Sequence, residues 1–199
     1  QSGGWRSTSA CGLKHRGETC EVAPGGRRCF AALSGVWGPA LLIADAEVTL
    51  AGPGGERRVA LGDIYNNDGL DHLALEAGEI LTTINLPKAT AGVPAAYAKA
   101  RVRGSIDFPL AGAAGSLAMS GTEVKSLALA VTGVAPIPHV IKGTGDFTGR
   151  ALDDDALDKL REMVRRQSKP MHTATIAPKY RRRVVGALAR RLAAGLAGH

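Results

Sequence analysis

Residues 108–132 read FPLAGAAGSLAMSGTEVKSLALAVT, and this stretch decides the fold class. Residues 108–119 are small and apolar, Val124 to Thr132 is apolar and β-prone, and Ser120-Gly121 between them is a turn. The segment is therefore read as a hairpin of buried strands. Hydrophobic residues make up 45% of the 199-residue chain and aromatics only 4%, so the core must be built from Ala, Val, Leu and Ile. Such side chains suit sheets and closely apposed helices. With 26 Gly and 10 Pro the chain is rich in turns, which points to a loop-rich α/β or α+β protein.

Upstream of the hairpin, Tyr97 to Arg103 is read as a strand. Ala96, Ala98, Ala100 and Val102 share one face, and Tyr97, Lys99, Arg101 and Arg103 share the other, which is positive. Residues 88–95 (KATAGVPA) are a linker and a domain boundary. Before it, Ile80, Thr82, Ile84 and Leu86 form one face of a strand closed by Pro87. Ala46, Val48 and Leu50 alternate with Glu47 and Thr49, Pro53-Gly54-Gly55 turns the chain, and Arg58 to Leu61 returns as the hairpin partner. Residues 39–45 (PALLIAD) are a short helix or buried turn, and residues 62–78 a polar connection centred on Asn66-Asn67-Asp68-Gly69.

Downstream, Pro136 and Pro138 break the chain before a pair of helices. Asp153 caps the first, Asp154 and Asp155 occupy its first turn, and Leu157, Leu160 and Val164 make its buried stripe. In the second, Tyr180, Val184, Leu188, Leu192 and Leu196 recur every four residues as the apolar face, with Arg181, Arg182, Arg190 and Arg191 on the rest. No aromatics interleave with the Arg181-Arg182-Arg183 run, so a solvated face or a subunit contact is expected in preference to nucleic acid.

Residues 1–35 carry no apolar periodicity yet hold all three cysteines, Cys11, Cys20 and Cys29, spaced C-x8-C-x8-C. Thiolates suit iron–sulfur clusters and zinc, and Lys14, His15, Arg16, Arg27 and Arg28 would offset the charge of such a site. The spacing leaves both readings open, metal ligands or free thiols. An odd cysteine count without a visible signal peptide argues against a disulfide framework. No run approaches the ~18 apolar residues that span a bilayer. The five histidines are scattered without ligand spacing, and Glu76 with Glu79 is a possible acid pair lacking a neighbouring nucleophile. A net charge of +7 suits either a solvated basic surface or anionic partners such as nucleic acid, phosphate-bearing cofactors, CoA esters or acidic proteins.

Taken in order, several stretches resemble one family. Pro39-Ala40-Leu41-Leu42-Ile43-Ala44-Asp45-Ala46-Glu47-Val48 is similar to the end of the flavin-binding domain in molybdenum hydroxylase flavoprotein subunits. Glu79-Ile80-Leu81-Thr82-Thr83-Ile84-Asn85-Leu86-Pro87 resembles the strand that precedes that family's C-terminal domain. Tyr97-Ala98-Lys99-Ala100-Arg101, Asp107-Phe108-Pro109-Leu110-Ala111 and Tyr180-Arg181-Arg182-Arg183 are similar to landmarks of the C-terminal domain itself. The cysteine loop, with Gln1-Ser2 and Trp5-Arg6, looks like the insertion of the 4-hydroxybenzoyl-CoA reductase branch, which holds a [4Fe–4S] cluster. Val36 stands where relatives often carry an aspartate, and the family's Gly-rich FAD-pyrophosphate loops have no counterpart in this sequence.

The resemblance implies an iron–sulfur loop at residues 1–35, the C-terminal portion of a PCMH-type FAD-binding domain at 36–88, and a CO dehydrogenase flavoprotein C-terminal-like domain at 89–199. It implies FAD beside Lys99, Thr82 and Leu81, and a [4Fe–4S] cluster on Cys11, Cys20 and Cys29 with a fourth ligand upstream. It further implies a cytoplasmic, heteromeric electron-transfer subunit working with a molybdenum catalytic subunit and a [2Fe–2S] subunit. The electron donor would be ferredoxin, the substrate an aromatic CoA thioester, and neither nucleic acid nor membrane would be a partner. The alternatives are the flavin subunit of another molybdenum hydroxylase, of xanthine or CO dehydrogenase type, and a basic non-catalytic module that binds nucleic acid or protein.

Overall fold

The computed structural model describes residues 11, 14–15, 19–104, 106–172 and 176–198. The fold is mixed α/β, built on antiparallel sheets with few helices. In the cysteine loop, β1 (Lys14–His15) pairs with β2 (Thr19–Cys20). Then come α1 (Trp37–Leu42), β3 (Glu47–Gly52), β4 (Gly55–Ala60) and β5 (Ile80–Asn85). The last three form a sheet in the order β4-β3-β5. Val48 and Leu50 alternate inward as expected and are fully buried, in one cluster with Ala46, Leu61 and Ile64. Leu61 belongs to a 3-10 turn, Leu61–Ile64, and not to the returning strand.

The second sheet has the order β6-β7-β8-β9, with β6 at Ala95–Ala100, β7 at Ala111–Ser120, β8 at Glu123–Thr132 and β9 at His139–Val140. The hairpin read from residues 108–132 is thus β7 and β8. Its small residues are explained by burial on both faces. Ala111, Ala113 and Leu117 face the main core, whereas Ala114 packs with Ile43 and Ala130 on the α1 side. A Cβ at Gly115 would run into the side chains of Leu192 and Leu129, so glycine is what admits the last helix to this sheet.

That helix, α3 (Pro178–Ala197), follows α2 (Asp154–Gln167). Asp153 caps α2 as expected, its carboxylate accepting from the Ala156 amide at 2.8 Å, and Leu157, Leu160 and Val164 are buried. A Cβ on Gly186 would lie 2.9 Å from the Arg161 carbonyl, so α2 and α3 cross in close contact. The α3 stripe needs correction. Steps of four residues overshoot a full turn by about 40° each, so a stripe of five such residues winds off one face. The buried set is Arg181, Val185, Gly186, Leu188, Ala189, Leu192 and Ala193, while Tyr180 is 54% exposed.

Two strand readings also change. β6 ends at Ala100, so Arg101, Val102 and Arg103 lie in the bend that follows and do not continue its faces. On β5, Ile80, Leu81 and Ile84 are exposed on an edge strand, so its alternation does not report burial.

Glu79 is no member of an acid pair. Its carboxylate accepts from Arg57 Nε at 2.6 Å and Nη2 at 2.8 Å, and from the Glu76 amide at 2.7 Å. The Arg57 guanidinium, and after it the Glu76 amide, pull its pKa from 4.5 down to about 2. A carboxyl depressed on folding stabilises the fold fully above its unfolded value and loses that contribution as pH falls through the folded one. Glu79→Gln is therefore expected to lower the thermal midpoint at neutral pH. The gap to the parent chain should narrow between pH 4.5 and about 2 and close below that range. A pH-independent gap across a melting series would contradict this.

Candidate functional site

Lys99 sits on β6 opposite Gly112 of β7. Its Nζ donates to the Asp107 carbonyl at 3.0 Å, and no carboxylate pairs with it among the described residues. The loop between β6 and β7 is shaped to offer that carbonyl. The Leu110 amide donates to the Ala100 carbonyl at 2.9 Å and closes the loop base. The Asp107 carboxylate accepts from the Arg103 amide and guanidinium, each at 3.1 Å, and from the Phe108 amide at 3.0 Å. Those Arg103 bonds hold the Asp107 carboxyl below its ordinary range. Arg103 is therefore an ion-pair partner and does not extend the positive strand face. Val102, Ile106 and Phe108 stand exposed around this loop.

Tyr97 shares the Lys99 side of β6 and packs toward α1. Its hydroxyl is buried over Gly112, finds no hydrogen-bond partner among the described residues, and is pushed up to about 12 by burial. Leu81 and Thr82 lie on the other sheet, on β5. Thr82 is exposed and its Oγ1 donates to the Thr49 carbonyl at 3.2 Å, while Leu81 is 42% exposed opposite Leu50. The side chains picked from sequence thus come from separate sheets. α1 bridges the two, since Leu42 packs against the core of each.

Cys11 is exposed, and Cys20 on β2 and Cys29 are half-buried, all as free thiols. The Cys29 amide donates to Asp68 Oδ1 at 3.1 Å, and its Sγ accepts from the Ala31 amide at 3.4 Å. Among the described residues no group of three His, Cys, Asp or Glu is arranged to hold a metal ion, so these cysteines are not assembled into a ligand set. Arg28 stacks over Phe30 at 4.6 Å and donates to the Asn67 carbonyl at 2.6 Å. Gln1-Ser2, Trp5-Arg6, Gly12, Arg16 and Gly17, and the side chains of Lys14 and His15, lie outside the described residues. His139 is half-buried, with Nε2 lacking a partner among the described residues and its pKa lowered by burial.

Sequence reasoning missed Arg181. It is 2% exposed, and its guanidinium donates to the carbonyls of Leu110 at 3.3 Å, Met171 at 3.2 Å and Gly133. The available signal was its place four residues before Val185 on the face that turns inward.

Comparison with known proteins gives two adjoining matches. Residues 22–89 match the FAD binding domain in molybdopterin dehydrogenase, and residues 95–196 match the CO dehydrogenase flavoprotein C-terminal domain. The chain is 35% identical over 155 residues to the carbon monoxide dehydrogenase medium chain of Afipia carboxidovorans, covering 77% of this chain and 53% of the relative. It superposes on a Cu,Mo-CO dehydrogenase in its cyanide-inactivated form with a TM-score of 0.73 and 32% identity, covering 80% of this chain and 56% of the other. For reconstituted CO dehydrogenase from Oligotropha carboxidovorans the TM-score is 0.71 at 31% identity, covering 80% and 55%. Quinoline 2-oxidoreductase from Pseudomonas putida shares the fold, with a TM-score of 0.74 at 20% identity, covering 84% and 57%. The chain spans about half the length of the relatives it matches.

Proposed function

Since this chain belongs to the CO dehydrogenase flavoprotein medium-chain family, we propose that it is part of an FAD-carrying electron-transfer subunit of a molybdenum hydroxylase. The observation that carries the reading is the pair of adjoining family matches, flavin-binding over 22–89 and flavoprotein C-terminal over 95–196. The residues present fit a flavin. The Lys99 ammonium is steadied by a carbonyl and left un-neutralised by any described carboxylate, and the Tyr97 hydroxyl on the same strand is buried without a partner among the described residues. Bound FAD would supply a redox group that exchanges one or two electrons. Lys99 would favour the negative charge that reduction adds to the isoalloxazine, which is how a protein tunes such a cofactor. Leu81 and Thr82, exposed on β5, would line the flavin through backbone and apolar surface.

Residues 1–35, 36–88 and 89–199 remain our division into loop, flavin-domain end and C-terminal domain. The partners we propose are a molybdenum catalytic subunit and a [2Fe–2S] subunit, in the cytoplasm. No helix of the described residues is long and apolar enough to cross a membrane.

Two versions of this function differ in the direction of electron flow. In the reductase version, resembling 4-hydroxybenzoyl-CoA reductase, ferredoxin would be the electron donor, and Cys11, Cys20 and Cys29 would be the ligands of a [4Fe–4S] cluster. The likeness of the cysteine loop to that branch's insertion supports it. Among the described residues the thiols are not gathered into a ligand set and so do not fit a cluster as they stand. In the CO dehydrogenase version electrons leave through the flavin, and the 35% identity to a CO dehydrogenase medium chain favours it. Iron and acid-labile sulfide analysis of the full-length protein, purified without air, separates them. The reductase version expects iron and sulfide in equal amounts alongside FAD. FAD without iron would end that version and leave the outward one standing.

A further inference from the structure

We propose that Arg181 is a positioning residue for Lys99, acting through the base of the loop between β6 and β7. The proposal rests on the flavin reading of Lys99 given above.

The chain of contacts starts in the core. Arg181 is buried on α3, and its partners in the β-sheet region are backbone carbonyls at the ends of β7 and β8: Leu110 just before β7, and Gly133 just after β8. These two points are pressed together. Gly133 has φ +77°, and a Cβ there would lie 3.0 Å from the Leu110 carbonyl oxygen and 3.1 Å from Ala111 Cα. Two carbonyl dipoles converging in a buried spot need a donor between them, and a planar guanidinium can serve both at once. The third bond, to Met171, ties in the segment leading to α3. On the far side Gly133 is held in turn, its amide donating to the Leu33 carbonyl at 2.8 Å.

Leu110 links this clamp to the site. Its carbonyl takes the Arg181 bond, while its amide donates to the Ala100 carbonyl, next to Lys99 in the chain. Between Ala100 and Leu110 the loop carries Asp107, whose carbonyl receives the Lys99 ammonium. The Asp107 carboxylate stiffens the loop from within through Arg103 and Phe108. With the base of the loop fixed by Arg181, the carbonyl that aims Lys99 is fixed as well. Without it the loop and the ammonium would lose their shared reference. A lysine at 181 would keep the charge but lose the planar fork, so position and charge can be separated.

The test compares flavin reduction potentials of the FAD-loaded full-length protein and its Lys99→Ala, Arg181→Met, Arg181→Lys and Lys99→Ala/Arg181→Met variants. Both Arg181 variants are expected to lower the potential by most of the Lys99→Ala shift, and the double variant to go no lower than Lys99→Ala alone. An unchanged potential in both Arg181 variants would overturn the proposal. So would additive shifts, which would mean that Arg181 acts through its own charge. If Lys99→Ala itself leaves the potential unmoved, the flavin reading fails separately. The positioning claim is then decided without cofactor, by acylation of Lys99 relative to exposed Lys125, read by peptide mass spectrometry. Arg181→Lys should raise that ratio several-fold, and an unchanged ratio would refute the link. Should the variants not fold, the parent chain decides. Its Leu110 amide should exchange with solvent as slowly as the amides of the β7–β8 ladder, and fast exchange would overturn the clamp.

Discussion

Leu188→Ala is expected to destabilise the protein by about 2–5 kcal/mol, the range for emptying a filled core site. Leu188 is 3% exposed and lies in the cluster where α2 and α3 meet the four-stranded sheet, together with Leu117, Leu129, Leu160 and Val185. Two features keep the loss near the full range. The surrounding residues are short and already closely apposed, with glycines at 115 and 186 marking the closest approaches, so little can move in to refill the space. The helix is also held at its first turn by the Arg181 bonds and farther along by Arg190, whose Nη2 and Nε meet Asp154 at 2.6 Å and Asp158 at 2.9 Å. A tethered helix collapses less easily onto a cavity. For a chain of this size the midpoint should fall by about 4–20 °C. An unchanged midpoint in a thermal melt would show that α3 contributes nothing to the core.

Lys99→Ala is expected to lower the flavin's reduction potential in the full-length protein. The removed charge is a cation that no described carboxylate neutralises and that a carbonyl holds in place. Each ~1 kcal/mol of lost stabilisation of the reduced form corresponds to about 20 mV for a two-electron couple, and a close charge in a partly dry site is worth one to a few such steps. A shift on the order of tens of millivolts downward is therefore anticipated in a potentiometric titration. Lys99→Arg should recover part of it, because the charge returns while its geometry changes. An unmoved or raised potential in Lys99→Ala would remove Lys99 from the site.

The legible parts of the fold are those where local chemistry and long-range packing agree. The β7–β8 hairpin announced itself because its turn is polar and its strands, apart from Glu123, Lys125 and Ser126 beside the turn, are small and largely apolar, the pattern of a sheet covered on both faces. The Asp153 cap was legible because a carboxylate before a run of helix formers has one good use. Other readings failed where the deciding partner is remote in sequence. The alternation from Tyr97 runs on to Arg103 with no break, yet the strand stops at Ala100 because Asp107 folds the loop back on Arg103 and Leu110 closes its base. β5 alternates like a half-buried strand, but alternation does not say what covers a face. Arg181 looked like solvated charge beside Arg182 and Arg183, because the carbonyls that make its burial tolerable come from residues 110, 133 and 171. In the candidate site, Lys99 was legible as a cation on a strand, while the carbonyl that holds it was not.

The most direct test is the flavin content of the full-length protein, measured by its visible absorption spectrum and by the FAD released on denaturation. A flavin subunit should carry FAD in equimolar amount, or take it up on titration with quenching of flavin fluorescence. A colourless protein that leaves added FAD unquenched and unbound would contradict the assignment of an FAD-carrying function to this chain.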